Sequence, residues 1–261
     1  MNMSPIRRRR ICGLLAGLAL PLWLHVGSAA AVEMTLLSGG AVEPGLKPAV
    51  AAFEAATGHR VAITFNAAPQ IAMRLAGGEV WDAVIAPAAV LDTARSAGRI
   101  GAERAGVGRV GLGVAVRRGA PLPEIGDVES MKRSIVAAES VVFNRASTGQ
   151  IAERLFKQLD VAEVVAAKAT RPDDGAQVME RLLRGQGREI GFGALTEILL
   201  FRERGIVLVG PLPAALQTFT MYVAAIPTSS GQPAAARQLL EHLASRAAQG
   251  ILAAAGIDPA Q

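Results

Sequence analysis

Short apolar runs alternate with amphipathic stretches along most of the chain, a pattern typical of strands and helices that follow one another in an α/β fold. The apolar runs predict strands at 34–37, 61–65, 83–86, 110–116, 140–143, 190–192, 207–209 and 218–226. The amphipathic runs predict helices at 47–56, 71–76, 88–97, 147–159, 178–183, 195–202, 233–244 and 245–255. So many strands predict two α/β lobes with mostly parallel central sheets, with a ligand cleft between the lobes.

The first 31 residues have the order of a secretory signal peptide. Four arginines at 7–10 precede an apolar run at 11–24, and small residues at 27–31 suit a cleavage site. The apolar run is shorter than the ~20 residues that span a bilayer. We therefore predict a cleaved leader and a periplasmic protein. An uncleaved membrane anchor is the alternative, and the choice between the general and the twin-arginine export route stays open.

The leader carries most of the excess positive charge. The whole chain has 27 Lys and Arg against 22 Asp and Glu, a formal charge of +5. Without the four arginines of the leader, 23 basic residues face 22 acidic ones, and the single cysteine, Cys12, is also removed. The mature chain therefore lacks the basic surface and the aromatic content that nucleic-acid binding needs, and we expect no nucleic-acid partner.

Ligands of open α/β sheets bind at the carboxyl ends of strands, so the loops that follow strands are the candidate sites. Glycines in these loops let the backbone approach a ligand, and helix N-termini favour anions. Arg145 adds a guanidinium suited to a carboxylate or oxyanion. The alternative for each loop is a turn or helix cap without a ligand. The predicted ligand-binding residues are Ser38, Gly39, Gly40, Ala41, Asn66, Ala67, Asn144, Arg145, Ser147, Thr148 and Gly193.

These loops offer donors and few acids, which favours a small anionic ligand over a cation. The histidines outside the leader, His59 and His242, lack metal-ligand spacing, and we expect neither a metal nor another cofactor. A G-x-G-x-x-G match at 106–111 leads into a strand-like run and is not expected to bind a dinucleotide. The acidic pair Asp173-Asp174 stands beside a helix start and is expected to cap it.

Several segments together resemble the periplasmic substrate-binding proteins of ABC importers, and more narrowly their molybdate-binding branch. They are the opening 35–42, the strand 81–86, the segment 191–193 and the C-terminal region 233–257. The resemblance implies two hinged lobes, with crossings near 110–116 and 217–226. Lobe one would comprise 32–112 plus 222–261, and lobe two 113–221. It also implies a monomeric receptor that is not an enzyme and that delivers its ligand to a membrane permease.

The chain departs from the molybdate-binding pattern at hydroxyl-bearing positions. Where that pattern has serine in the first and second loops, this chain has Ala41 and Ala67, and Ala194 stands where a tyrosine is common. A desolvated oxyanion needs such donors. The leading hypothesis is a receptor for a molybdate-like oxyanion, and a receptor for a small organic carboxylate is the alternative. A secreted enzyme on a similar scaffold is a further alternative, although the chain lacks an evident nucleophile–base pair. The ligand-sensing half of a transcription regulator is not expected, because residues 1–31 cannot supply DNA-binding helices.

Overall fold

Nine strands form one sheet in the part of the chain that the computed structural model describes, which is Met1 and residues 31–260. All but the end residues of the predicted signal peptide lie outside that part. The strands are β1 (Glu33–Gly39), β2 (Arg60–Asn66), β3 (Ala83–Pro87), β4 (Ile100–Arg117), β5 (Ser140–Phe143), β6 (Ala169–Thr170), β7 (Glu189–Ala194), β8 (Ile206–Pro211) and β9 (Phe219–Pro227).

Ten α-helices connect or follow these strands within the described residues, and a 3-10 turn at Gly40–Val42 leads into the first of them. They are α1 (Glu43–Thr57), α2 (Ala68–Ala76), α3 (Ala88–Ser96), α4 (Val128–Ala137), α5 (Ser147–Gln158), α6 (Ala162–Ala166), α7 (Gly175–Leu183), α8 (Leu195–Leu200), α9 (Pro233–Ala244) and α10 (Arg246–Ala254). Among the described residues, no helix is long and apolar enough to cross a membrane.

The sheet has the strand order β2-β1-β3-β9-β4-β7-β5-β6, with β8 paired to β4. Strand β1 is parallel to β2 and β3, and β5 is parallel to β6 and β7. The central strands β4 and β9 run antiparallel to their partners. Residues 100–111 of β4 pair with β9, whereas residues 112–117 pair with β7 and β8. The long strand β4 therefore connects the part of the sheet that contains β9 with the part that contains β7 and β8.

Buried side chains alternate between the two faces of the strands, as the two-residue period of a strand requires. In β1, Leu36 packs in the cluster that contains Phe53 of α1, and Leu37 packs in the opposite cluster with Ile71 of α2. In β5, Val141 and Val142 divide in the same way between two further clusters. Helices therefore cover both faces of the sheet, and the predicted α/β class with helices flanking the central sheet is confirmed.

We divide the elements into two halves. The first half comprises β1, β2, β3, β9 and the start of β4, with the 3-10 turn Gly40–Val42 and helices α1–α3, α9 and α10, and the remaining elements form the second half. Asp82 connects β1 to the loop before α9 within the first half. Its carboxylate accepts hydrogen bonds from the backbone and hydroxyl of Thr35 at 2.8 and 3.0 Å and from the backbone N–H groups of Gly231 and Gln232 at 3.1 and 3.0 Å. Between the halves, the Thr196 hydroxyl donates to the Ala41 carbonyl at 2.5 Å. The residue boundaries of the two lobes stay a prediction.

The structure contains each predicted strand and helix, with longer bounds in several cases. Strand β4 begins ten residues before the predicted run, and α1 begins at Glu43 rather than at residue 47. Helices α4 and α6 and the two-residue strand β6 were not predicted. The G-x-G-x-x-G match at 106–111 lies inside β4, where Gly108 has φ +152° at an irregularity in its pairing with β9. The match is therefore part of a strand and not a strand-to-helix turn.

Candidate functional site

A cavity of about 390 Å³ lies at the carboxyl ends of the parallel strands and takes its walls from both halves. This is within the volume range typical of small-molecule sites. Its lining residues follow the ends of β1, β2, β3, β5 and β7 or come from β9 and the loop before α7. They are Gly39, Gly40, Ala41, Glu43, Phe65, Asn66, Ala67, Ala68, Gln70, Pro87, Asn144, Ala146, Ser147, Thr148, Asp174, Gly175, Ala176, Glu197, Leu200, Phe201 and Tyr222.

Four helices of nine or more residues begin at the cavity wall, namely α1, α2, α5 and α7. The first N–H groups of a helix have no partner inside the helix, and they carry the positive end of its dipole. None of the described residues that line the cavity is lysine or arginine. The groups of this cavity that can attract a small anion are therefore backbone N–H groups at helix starts and not basic side chains.

Asn144 lines the cavity and also orders the start of α5. Its side-chain oxygen accepts hydrogen bonds from the backbone N–H groups of Ala146 and Gly149 at 3.0 and 2.8 Å. Its amide nitrogen donates to the Thr148 hydroxyl at 2.8 Å. Because the Thr148 hydroxyl accepts this bond, its own proton can still be donated to another group. Ser147 precedes Thr148 in the first turn of α5. Asn144 thus acts as a loop-ordering residue, and the Ser147 and Thr148 hydroxyls can donate to a ligand.

Asn66 and Ala67 line the opposite wall. The Gln70 side chain accepts a hydrogen bond from the Ala67 backbone N–H at 2.8 Å, which orders the start of α2. The side-chain oxygen of Asn66 is buried and has no hydrogen-bond partner among the described residues. Such an atom costs free energy unless a partner arrives, which makes Asn66 a candidate ligand contact.

Three carboxyl groups line the cavity, whereas the sequence led us to expect few acids. Glu43 is paired with Lys47 at 2.5 Å. Asp174 caps α7 by accepting from the Gln177 backbone N–H at 2.8 Å, as predicted for a cap. Glu197 differs, because its Oε2 atom is buried and has no hydrogen-bond partner among the described residues. The cavity therefore holds one carboxyl group with an oxygen that has no hydrogen-bond partner among the described residues.

Glu197 belongs to the first turn of α8 and reaches into the space between the two halves. A Cβ atom at Gly40 would lie 3.4 Å from Oε1, and a Cβ at Gly175 would lie 2.0 Å from Oε2. Any larger residue at 175 would therefore displace the carboxyl group. Burial raises the pKa of Glu197 to about 7, the negative charges of Asp174 and Glu43 act in the same direction, and a hydrogen bond from the Ala194 backbone opposes them.

Tyr222, the single tyrosine of the chain, enters the cavity from β9 and is only 3% exposed. Its ring packs on Gly39, where a Cβ atom would come within 2.9 Å of the ring. Burial and the charge of Glu197 raise the pKa of the phenol, and a side-chain hydrogen bond with Ser147 acts in the opposite direction. The phenol therefore keeps its proton at neutral pH and can donate to an anion.

The structure brings eight of the eleven predicted site residues to this cavity, and three lie elsewhere. Arg145 does not face it. The guanidinium pairs with Asp173 at 3.1 Å, and the side chain is 63% exposed beside a separate depression. Ser38 is fully buried, with its hydroxyl 3.2 Å from the Gly39 carbonyl. Gly193 lies in β7 under Met179 and Ile198. For Ser38, the alternation of strand β1 turns the side chain away from the cavity.

The residues that sequence reasoning missed include the most chemically distinctive ones. Glu197 follows the predicted loop 191–196 by one residue, so extending that loop into the first helical turn would have included it. Asp174 was considered only as a cap. Nothing in the sequence around Tyr222 sets it apart from an ordinary strand residue. Among the residues described, no group of three or more His, Cys, Asp or Glu side chains is arranged to hold a metal ion.

Comparisons with known proteins agree with this architecture. Residues 34–258 match the family model of the bacterial extracellular solute-binding proteins. The chain is 32% identical over 233 residues to an aconitate isomerase from Pseudomonas sp., covering 87% of each protein. The sulfate-binding protein SubI from Mycobacterium tuberculosis is similar in structure (TM-score 0.74, 17% identity, 88% of each chain). So is the periplasmic molybdate-binding protein of Azotobacter vinelandii (TM-score 0.72, 15% identity, 87% of this chain and all of that one). The chain therefore belongs to the family of bacterial extracellular solute-binding proteins.

Proposed function

We propose that the protein is a periplasmic receptor that captures a small organic anion with several carboxylate groups and delivers it to the permease of an ABC transporter. The observation that carries this proposal is a cavity of about 390 Å³ at whose wall four helices begin. The described residues that line it include no lysine or arginine. Backbone N–H groups distributed over several walls can serve several carboxylates at once.

An organic anion fits this cavity better than a molybdate-like oxyanion. Ala41 and Ala67 replace the hydroxyl groups that the molybdate-binding pattern places in these loops, and Ala194 does not line the cavity at all. Tyr222 supplies one hydroxyl from another strand, and Ser147 and Thr148 supply two more. The aconitate isomerase relative points to the same ligand class, because its name implies that it acts on a tricarboxylate.

The second part of the proposal is that the halves close on the ligand by a hinge motion. The contacts between the halves include the Thr196–Ala41 hydrogen bond and the Tyr222–Ser147 pair. We propose hinges near residues 112 and 222, where β4 and β9 connect the two ends of the sheet. Export by the 1–31 leader, action as a monomer and docking of the closed form to a permease complete this proposal.

Isothermal titration calorimetry with a panel of anions tests the ligand class. The panel comprises cis-aconitate, trans-aconitate, citrate, molybdate, tungstate and sulfate. We expect binding of a tricarboxylate in preference to the three inorganic anions. Preferential binding of molybdate or tungstate would restore the oxyanion alternative, and binding of none of the panel would contradict the proposal.

Ser147→Ala locates the binding site. Because the Ser147 hydroxyl lines the cavity and can donate to the ligand, we expect affinity to fall about 5- to 20-fold, corresponding to the loss of one hydrogen bond. Ser96→Ala makes the same change on the exposed end of α3, outside the cavity, and serves as the matched control. Equal affinities of both variants and the unchanged protein would place the ligand elsewhere.

A further inference from the structure

Glu197 has a position that ligand capture by itself does not explain. A receptor for anions gains nothing from a carboxyl group in its binding cavity, because an ionised carboxylate repels the ligand. The Oε2 atom is nonetheless buried without a partner among the described residues, and Gly175 leaves just the room that the carboxyl group occupies. Glu197 thus lines the ligand space, with its Oε2 atom held against Gly175 and without a hydrogen-bond partner among the described residues.

The charged groups around Glu197 make it hold its proton more tightly than an ordinary glutamic acid does. Asp174 faces it from the start of α7, Glu43 from the start of α1, and Tyr222 from β9. Glu43 is neutralised in part by Lys47, and Tyr222 stays protonated. With a pKa of about 7, Glu197 exists in both protonation states near neutral pH, as a general acid–base requires.

We propose that Glu197 moves a proton between two carbon atoms of the bound ligand and thereby isomerises an unsaturated polycarboxylate. This inference rests on the proposed function, since it requires a polycarboxylate in the cavity. It adds an activity, namely the interconversion of cis- and trans-aconitate or of a close analogue.

The step balances without an oxidant, a reductant or a cofactor. The Glu197 carboxylate takes a proton from the methylene carbon next to the double bond, and the electron pair of the broken C–H bond spreads over the three-carbon allyl unit and onto a terminal carboxylate. Glu197, now a carboxylic acid, returns a proton to the carbon at the far end of the allyl unit. The double bond has then shifted by one position and forms in the geometry that the bound conformer sets.

The remaining groups of the cavity suit the intermediate. Negative charge builds up on a ligand carboxylate during the step, and preorganised N–H groups at the helix starts stabilise such charge most effectively in a site with little water. The Ser147 and Tyr222 hydroxyls add two donors. The sequence analysis counted the lack of an evident nucleophile–base pair against an enzyme. This reaction does not need such a pair, because a single acid–base group both removes and returns the proton.

Proton NMR in D2O tests the proposal. The protein is mixed with cis-aconitate or trans-aconitate, and both the second isomer and the loss of the methylene proton signal are followed. We expect the unchanged protein to form the other isomer and to incorporate deuterium at the methylene carbon. Tricarboxylate binding by calorimetry with neither isomerisation nor exchange would overturn this inference and leave the receptor proposal standing. Absence of binding and turnover with both acids would overturn both.

Glu197→Gln separates proton transfer from binding. The amide keeps the shape of the side chain but cannot exchange a proton with carbon, so we expect exchange to fall at least 100-fold while tricarboxylate binding persists. Glu203→Gln makes the same change at an exposed position after α8 and is expected to leave exchange unchanged. Exchange by Glu197→Gln at the rate of the unchanged protein would refute the role of Glu197.

Two further measurements remain informative if Glu197→Gln does not fold. Glu197→Asp keeps the carboxyl group but withdraws it by one methylene, and we expect an intermediate exchange rate. With the unchanged protein saturated by ligand, exchange should rise with pH and level off above an inflection at or above pH 7, because the base must be ionised and a bound anion raises its pKa further. A rate independent of pH from 5.5 to 8.5 would refute the proposal.

Discussion

Replacing Glu197 by glutamine should stabilise the protein at alkaline pH and not at acid pH. In the folded protein, burial raises the pKa of Glu197 from 4.5 to about 7. Between these values the folded state holds a proton that the unfolded chain has lost, so stability falls as pH rises through this window. Glutamine resembles the protonated acid in shape and does not ionise, so the variant does not incur this loss.

The difference between a pKa of 4.5 and one of about 7 sets the magnitude. It corresponds to roughly 3 kcal/mol of folding free energy above pH 7.5, at ~1.4 kcal/mol for each pKa unit. At pH 5 the folded protein is protonated and the unfolded chain only partly ionised, so the same linkage leaves less than about 1 kcal/mol. The advantage of Glu197→Gln should therefore grow by about 2–3 kcal/mol between pH 5 and pH 8.

Urea unfolding at pH 5, 6, 7 and 8 measures this growth in both proteins. Glu203→Gln, in which an exposed carboxyl group is replaced, should follow the unchanged protein at every pH. A constant difference between Glu197→Gln and the unchanged protein over this range would show that Glu197 ionises as an ordinary carboxyl group. The argument from burial would then be refuted, whatever the absolute stabilities.

Three other substitutions test separate parts of the structure. Asp82→Asn should lower the free energy of unfolding in urea by about 2–3 kcal/mol, because an amide can accept hydrogen bonds at only one of its two ends; an unchanged midpoint would contradict this. Gly175→Ala should weaken ligand binding at least tenfold by calorimetry, since the new Cβ would displace the Glu197 carboxyl group, which lines the cavity. Arg145→Ala should change ligand affinity less than twofold, because the exposed Arg145–Asp173 pair lies outside the cavity, and a larger loss would return Arg145 to the site.

The apolar runs were sufficient to predict eight of the nine strands at least in part, because helices cover both faces of this sheet. Every residue of β3, for example, is buried, so the strand reads as an unbroken apolar run at 83–87. The first part of β4 could not be found in this way. It contains the charged residues Glu103, Arg104 and Arg109, which interrupt the apolar pattern. Each forms an ion pair: Arg104 and Arg109 with acidic residues, and Glu103 with Arg237.

The sequence was sufficient to predict which loops form the candidate site, but not which side chains in them face the cavity. The rule that ligands bind at the carboxyl ends of strands identified the loops after β1, β2 and β5, which all reach the cavity. It could not tell which loop residue faces inward. The charge of Arg145 suggested a ligand contact, whereas the structure places its side chain at the surface, paired with Asp173. Tyr222 is brought to the cavity by the antiparallel pairing of β9 with β3, a long-range contact without a local signal.

A receptor and an isomerase would share one bound state in this cavity, and the two activities place opposite demands on Glu197. Capture of an anion is strongest when Glu197 is neutral, because an ionised carboxylate beside the ligand weakens binding. Proton abstraction needs the same group ionised. Glu197→Gln should therefore bind trans-aconitate more tightly than the unchanged protein at pH 8 and yet give no exchange. A purely structural role for Glu197 would move binding and exchange in the same direction, so the opposite signs in one variant distinguish a proton-transferring carboxyl group from a packing one.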